Sequence, residues 1–312
     1  MSDSSKSIFT AQRIALSVGI SALYLLLCYW LIGYKTEQLV LVMLINILLY
    51  LTRSTRKFML AFLIFVVFWV LFDFMKAFPN YEYSTVHIGD IYALEKSWFG
   101  VNAGGTRLTL NEYFLRHTKT ILDFLAGCFY LCWVPVPIMF GIYLFFTNKR
   151  AGYIHFALTF LWVNLIGFVI YYLCPSAPPW YIELHGFAFN PHTAGNTAGL
   201  GRFDALVHLP IFHALYAQSS NVFAAMPSLH ASYHVIVLYH AFRNRQKWYA
   251  KVLFAIIMFG IWFTAVYASH HYLLDVIAGV LCAFAGIATY NWMYNKCQPF
   301  RRFIDGYIKL IS

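Results

Sequence analysis

Charge is what this sequence has least of. Asp, Glu, Lys and Arg make up only 11% of its 312 residues, and 12 residues are acidic. A soluble globular chain carries roughly 25% charged residues, so there is too little polar surface here to coat a water-soluble body. Paired cysteines are also missing. Cys28, Cys128, Cys132, Cys174, Cys282 and Cys297 form no CxxC pair and lie mostly in apolar runs, where they read as small buried hydrophobes. A disulfide-stapled secreted module is thereby excluded, and the same composition excludes disorder and collagen. What is abundant is apolar: 61% of residues are hydrophobic and 20% aromatic. An integral membrane protein remains. The net charge of +10 then concerns orientation and lipid attraction, and no nucleic-acid partner is expected.

Spanning the hydrocarbon takes about 20 residues, fewer where interfacial aromatics bound the helix. Eight runs qualify as candidates: Ile14–Tyr34, Gln38–Leu51, Phe58–Phe74, Ile121–Phe146, Tyr153–Leu173, Pro227–Phe242, Val252–Ala268 and Tyr272–Tyr294. The second is short, and with the third it also fits a re-entrant hairpin; the sixth is the most polar. The expected fold is an all-α integral membrane protein of about eight transmembrane helices. It divides into an N-terminal two-span hairpin (1–57), a six-helix core (58–294) and an amphipathic cytoplasmic tail (295–312). No cleavable signal pattern is seen, because the first run is too long and no small-residue site follows it.

Lysine and arginine orient the bundle. With eight spans both termini share one side, which receives Lys6, Arg13, Arg53, Arg56, Lys57, Lys149, Arg150, Arg243, Arg245, Lys247, Lys251, Lys296, Arg301, Arg302 and Lys309. These are 15 of the 22 cations. Both termini are therefore expected in the cytoplasm, with connections 75–120 and 174–226 facing outward. Loops of that length in a bundle point to function. The first is rich in aromatics and reads as a segment lying on the bilayer surface. In the tail, Phe300, Phe303, Ile304, Tyr307, Ile308 and Ile311 follow helical spacing beside Arg301, Arg302 and Lys309, which fits an anchoring helix on the inner surface.

Nine of the 12 histidines fall between His185 and His271, most of them near the outer face. Two local arrangements stand out. In Met226-Pro227-Ser228-Leu229-His230 a proline opens a helix where its missing N–H is harmless, and the free N–H groups behind it with the helix dipole form an anion site. Ser228 adds a hydroxyl and His230 a proton-exchanging group; a plain proline-started span with a polar end is the simpler alternative. In His270-His271-Tyr272-Leu273-Leu274-Asp275, His271 and Asp275 are four apart and share a helix face. A carboxylate holding one imidazole nitrogen leaves the other free as nucleophile or base. An aspartate in an apolar helix needs a partner, so a purely structural His–Asp bond remains open. Zinc fits poorly, since no third ligand stands at suitable spacing.

Pro227-Ser228-Leu229-His230 and His271-x-x-x-Asp275 resemble the second and third signatures of the phosphatidic-acid-phosphatase type 2 superfamily, PSGH and SRxxxxxHxxxD. The ordered series Cys174-Pro175-Ser176-Ala177-Pro178-Pro179-Trp180-Tyr181, Gly199-Leu200-Gly201-Arg202-Phe203-Asp204, Ala225 to His230 and Ser269-His270-His271-Tyr272 is similar to its inositol phosphorylceramide synthase branch. The motif-bearing match covers about 171–280. The resemblance implies that the six-helix core is catalytic. It also implies that His271 attacks phosphorus to form a phosphohistidine, that Asp275 orients it, and that His230 protonates the departing alkoxide. Substrate contacts are then expected from Arg202, Ser228, His270, Trp180 and Tyr181, with no metal or other cofactor. The implied partners are a phosphatidylinositol-like donor lipid and a ceramide-like acceptor in the bilayer. The implied place is a bacterial inner membrane with a periplasmic site, or a Golgi membrane with a lumenal one.

The first signature of the phosphatases, KxxxxxxRP, is absent because no Arg-Pro dipeptide occurs, and the arginine due six residues before His271 is Ala265. A phosphodiester carries about one negative charge and needs fewer cations than a monoester, so the losses favour a diester substrate. Arg202, the one arginine of connection 174–226, is the candidate replacement clamp, unless it simply meets Asp204 or a lipid headgroup. Pro175, Pro178, Pro179, Trp180 and Tyr181 read as a stiff wall, or as a helix stop with aromatic anchors. Gly195, Gly199 and Gly201 fit either close approach to phosphate or turn geometry. The rival functions are a lipid phosphatase acting on phosphatidic acid or a prenyl diphosphate, and a non-catalytic lipid transporter.

Overall fold

The computed structural model describes residues 10–217 and 221–312; Lys6, counted among the inner cations, lies outside them. Three helices begin the chain: α1 (Ala11–Leu31), α2 (Thr36–Leu51) and α3 (Arg53–Phe74). Thr52 starts α3 with a reciprocal cap, its hydroxyl accepting from the Thr55 N–H while the Thr55 hydroxyl accepts from the Thr52 N–H, both at 3.0 Å.

The connection that follows has short elements of its own. It holds α4 (Gly89–Phe99), a small antiparallel hairpin of β1 (Val101–Ala103) and β2 (Thr106–Leu108), and α5 (Leu110–Arg116). Gly104 and Gly105 turn the hairpin with φ of +59° and +79°, a region that suits glycine. The fourth apolar stretch is α6 (Thr120–Tyr130) and α7 (Pro135–Phe146), which together are long and apolar enough to cross a membrane. Pro135 and Pro137 lack the N–H groups that would bond Leu131 and Trp133, so the chain turns between them.

The remaining elements are α8 (Arg150–Leu173), α9 (Pro179–His185), α10 (Gly201–Val207), α11 (Ile211–Tyr216), α12 (Leu229–Arg243), α13 (Trp248–Tyr267), α14 (Leu273–Lys296) and α15 (Gln298–Ile311). Among the described residues, six stretches are long and apolar enough to cross a membrane. The other two of the expected eight are shorter: α2 has 16 residues and α12 has 15. At 1.5 Å per residue α12 reaches about 22 Å, less than the roughly 30 Å of hydrocarbon.

Its polarity has a structural cause. α12 packs against α8, α13 and α14 at once, so it meets other helices rather than lipid. Ser232, His234 and His240 are completely buried on it. The Ser232 hydroxyl donates to the Gly279 carbonyl at 2.6 Å, and the Tyr233 hydroxyl donates to Asn164 Oδ1 at 2.9 Å.

Two compact units result, and their division does not follow the 57/58 boundary drawn from sequence. One comprises the described residues up to Phe78 together with Pro299–Ser312; the other is Pro79–Gln298. In the first, α15 buries Ile304 and Ile311, the Tyr307 hydroxyl donates to the Leu60 carbonyl at 2.6 Å, and Lys57 Nζ donates to the Ser312 carbonyl. In the second, α12 meets α14 at Gly279. A Cβ there would stand 2.1 Å from the Ser228 carbonyl oxygen, which is backbone and cannot swing away. Gly279→Ala is therefore expected to destabilise by about 1–3 kcal/mol, the usual range for overpacking. Thermal unfolding of purified protein reads this, and an unchanged melting temperature would contradict the close approach.

Candidate active site

The two motifs meet where α12 and α14 begin. Ser228 is the N-cap of α12, its hydroxyl accepting from the Ala231 N–H at 3.4 Å, and its own N–H donates to the Asp275 carbonyl at 2.9 Å. That cross-bond brings the first turn of α12 against the first turn of α14. His230 Nδ1 consequently lies 3.1 Å from His271 Nε2. Behind His271, its Nδ1 lies 3.6 Å from Asp275 Oδ2, within ion-pair reach but longer than a hydrogen bond. Asp275 Oδ2 accepts from the Tyr272 N–H at 2.8 Å, while Asp275 Oδ1 and His271 Nδ1 have no partner among the described residues. Apo sites commonly hold catalytic bonds slightly long and tighten them on substrate. His271 is 5% exposed and Asp275 not at all, so the carboxylate faces an imidazole and not water. Trp133, in the turn that breaks the fourth stretch, meets the His230 ring edge-on at 4.5 Å between centres.

Residues of connections 75–120 and 174–226 hold this pair in place. Glu95 of α4 is fully buried, and its two oxygens accept from the Leu273 and Leu274 N–H groups at 3.2 and 3.0 Å, capping the helix that carries Asp275. Burial raises the Glu95 pKa, and the nearby Asp275 adds to the rise. Asn111 of α5 donates to the carbonyls of Val266 and His271 at 2.8 and 3.0 Å. Ser176 accepts from the Met226 N–H at 2.9 Å and so sets the entry to Pro227 and Ser228. Glu183 accepts from the Ser269 hydroxyl at 2.6 Å, with its pKa raised by burial. Removing the Glu95 carboxylate should orphan two N–H groups, costing about 2–4 kcal/mol, whereas glutamine keeps one acceptor oxygen. The expected order of melting temperatures is wild type, then Glu95→Gln, then Glu95→Ala; equal values for all three would contradict the capping role.

The residues expected to touch substrate divide into two groups. His230, His271, Asp275 and Ser228 come together as described. The others are arranged differently. His270 Nε2 bonds the Thr197 carbonyl at 2.9 Å, and its ring stacks between Tyr216 and Tyr130 at 4.6 and 5.5 Å. Burial pushes its pKa down to about 3, so it stays neutral near pH 7 and adds no cation to the site. Tyr181 is fully buried, donating its hydroxyl to the Ala188 carbonyl and accepting from the Asn190 N–H, both at 2.7 Å. Trp180 packs with Ile88, Ala177, Tyr181 and Phe223, and its backbone N–H donates to the Ser269 carbonyl at 3.0 Å. The Tyr181 hydroxyl is therefore already engaged on both sides.

Arg202 does not meet Asp204. Both oxygens of Asp204 accept backbone N–H groups at the start of α11, from Phe212 at 3.0 Å and His213 at 2.9 Å. Arg202 Nε instead donates to Asp123 Oδ1 of α6 at 2.6 Å. Gly199 allows the loop to close here: its N–H donates to the Ala268 carbonyl at 2.9 Å, and a Cβ on it would stand 2.8 Å from Ala268 Cα.

A family model for the PAP2 superfamily matches residues 90–289 of this chain. The chain is 46% identical over 295 residues to a phosphoinositol dihydroceramide synthase of Bacteroides thetaiotaomicron, covering 95% of this chain and 97% of that protein. It is 27% identical over 241 residues to an inositol phosphorylceramide synthase of Candida albicans, covering 74% of this chain and 48% of the relative. With the inositol phosphorylceramide synthase catalytic subunit of Schizosaccharomyces pombe it shares 29% identity over 241 residues, 73% of this chain and 53% of the relative. The chain thus spans about half the length of these fungal relatives. No solved structure matches it.

Proposed function

The chain belongs to the PAP2 superfamily, and from that premise we propose that it is a membrane lipid phosphotransferase. It moves a phosphoinositol-type headgroup from a glycerophospholipid to the hydroxyl of a ceramide-type lipid and releases diacylglycerol. The near-full-length likeness to a phosphoinositol dihydroceramide synthase supports the choice of substrates. The observation that carries the chemistry is the 3.1 Å approach of His230 Nδ1 to His271 Nε2, with Asp275 behind the second ring.

This chemistry calls for particular tautomers. A proton on His271 Nδ1 faces the Asp275 carboxylate and leaves the Nε2 lone pair for phosphorus. His230 Nδ1 then carries the proton it points at Nε2. Phosphorus enters between the rings, the His271 Nε2–P bond forms, and the P–O bond to diacylglycerol breaks. The alkoxide takes the Nδ1 proton of His230, which enters this step as an imidazolium protonated on both ring nitrogens and leaves it as a neutral base. The ceramide hydroxyl gives its proton back to His230 as its oxygen attacks phosphorus and the P–N bond breaks. Both histidines return to their starting states. The helix dipole at the start of α12 offers charge stabilisation for the phosphoryl oxygens, and Arg202 is the side-chain clamp.

The basic excess on one side supports the reading that both termini are cytoplasmic and that the site is on the opposite face, the periplasmic one in a bacterial inner membrane. Purified full-length protein given phosphatidylinositol and ceramide should form diacylglycerol and the phosphoinositol ceramide in equal amounts, measured by lipid mass spectrometry. Release of inositol phosphate or inorganic phosphate without a new sphingolipid would replace this reading with hydrolysis.

A further inference from the structure

Three elements hold Arg202 in place. Besides the Nε bond to Asp123 Oδ1, the same carboxylate oxygen accepts the Tyr267 hydroxyl of α13 at 2.8 Å. The guanidinium carbon lies 5.2 Å from the centre of the Tyr267 ring, within cation–π range. Asp123 is itself only 10% exposed. A long arginine has many rotamers, and one edge bond plus one ring face leave it few. The restraint falls on Nε, so the Nη end is what remains to be used. That end rests on the loop beside the site: a Cβ at Gly199 would stand 2.8 Å from Nη2 and 2.9 Å from Nη1, and Gly199 is hydrogen-bonded to Ala268, three residues before His271. Nη2 is buried and has no hydrogen-bond partner among the described residues. A buried charged donor left without an acceptor is costly, so an acceptor from outside the chain is the natural complement.

We propose that Asp123 and Tyr267 are positioning residues that aim Arg202 Nη2 at a non-bridging phosphoryl oxygen of the donor lipid. The inference rests on the reading of Arg202 as the phosphate clamp. The Asp123 carboxylate offsets the guanidinium charge, so the mount supplies a directed hydrogen bond more than net positive charge. That suits a phosphodiester, whose single negative charge asks for orientation before neutralisation.

The test is a double-mutant cycle on full-length protein, with phosphatidylinositol and ceramide in mixed micelles and the two KM values measured separately. Tyr267→Phe keeps the ring under the guanidinium but removes the hydroxyl. It should raise the donor KM about 3- to 10-fold, the size of one such hydrogen bond, with kcat and acceptor KM within about twofold. Asp123→Asn should behave alike and more strongly. Arg202→Ala should raise the donor KM further, and Arg202→Lys nearly as much, because an ammonium lacks the fork. In the Arg202→Ala background Tyr267→Phe should have no added effect on donor KM. Additive effects, or equal rises in donor and acceptor KM accompanied by a lower melting temperature, would overturn the positioning role. If wild-type protein forms no phosphosphingolipid, the transfer reading itself fails. If wild type transfers and Arg202→Ala leaves the donor KM unchanged, the clamp and its mount fail while the transfer reading stands.

Discussion

Replacing His271 with glutamine is expected to reduce transfer on the order of 10⁴-fold or more, while purified protein still unfolds cooperatively near the wild-type temperature. The size follows from the role: removing a covalent nucleophile removes a whole reaction path, and measured losses for such residues are of that order. Stability should change little, because the turn around His271 is held by backbone bonds that survive the change. The His271 carbonyl keeps its bond from Asn111, and the helix that follows keeps its Glu95 cap. Near-wild-type transfer in His271→Gln would end the proposed chemistry. A variant that merely fails to fold is recognised from its melting curve, and Asp275→Asn then serves in its place. That change alters one atom beside His271 Nδ1, 3.6 Å away, and favours the wrong tautomer.

The second large effect separates the two histidines by role. His230→Gln should slow transfer from a natural lipid donor about 10²- to 10⁴-fold, the usual worth of a positioned general acid. With an aryl phosphodiester whose leaving group departs as a stable anion, no proton is needed in the first step. Release of the aryl anion should therefore be slowed far less, as a burst of about one equivalent per enzyme. Turnover should then stall, because deprotonating the ceramide hydroxyl also falls to His230. Rapid-mixing absorbance measures the burst. Equal slowing with both donors would mean that His230 holds structure and does not move the proton, a role its contacts with Trp133 and Tyr130 would otherwise accommodate.

Local pattern and tertiary encounter were legible to different degrees. Four-residue spacing was enough to bring Asp275 near His271, though His271 precedes α14 and only Asp275 stands on that helix; likewise Pro227 precedes the Ser228 cap of α12 and is not in its first turn. The meeting of His230 with His271, 41 positions apart, was not legible. No periodicity encodes it; it arises from the Ser228–Asp275 backbone bond and the missing Cβ of Gly279, and it was expected only through resemblance.

Glu95 and Asn111 were missed, and Ser176 was read only as part of a motif series, because all three serve backbone groups of other segments and a sequence does not name the partner of an amide. A carboxylate or amide in a long outer loop looks like ordinary solvated polarity until the loop is seen closing over a helix end. Arg202 found Asp123, 79 positions away, because the nearer Asp204 was already taken by the start of α11. The broken stretch around Leu131–Val134 could have been read from Pro135 and Pro137, but mean apolarity across the run hid it. The short, polar α12 was doubtful by hydropathy for the opposite reason: a helix enclosed by α8, α13 and α14 is freed from the need to be greasy.

The central claim is a covalent route through His271, and the stereochemical course at phosphorus tests it most directly. A phosphatidylinositol donor made chiral at phosphorus, by isotopic or sulfur substitution of a non-bridging oxygen, is converted by wild-type protein, and the configuration of the phosphosphingolipid is determined. Two successive in-line displacements, onto His271 and off it, predict overall retention. Inversion would mean a single direct transfer from donor to ceramide, and would contradict the phosphohistidine account.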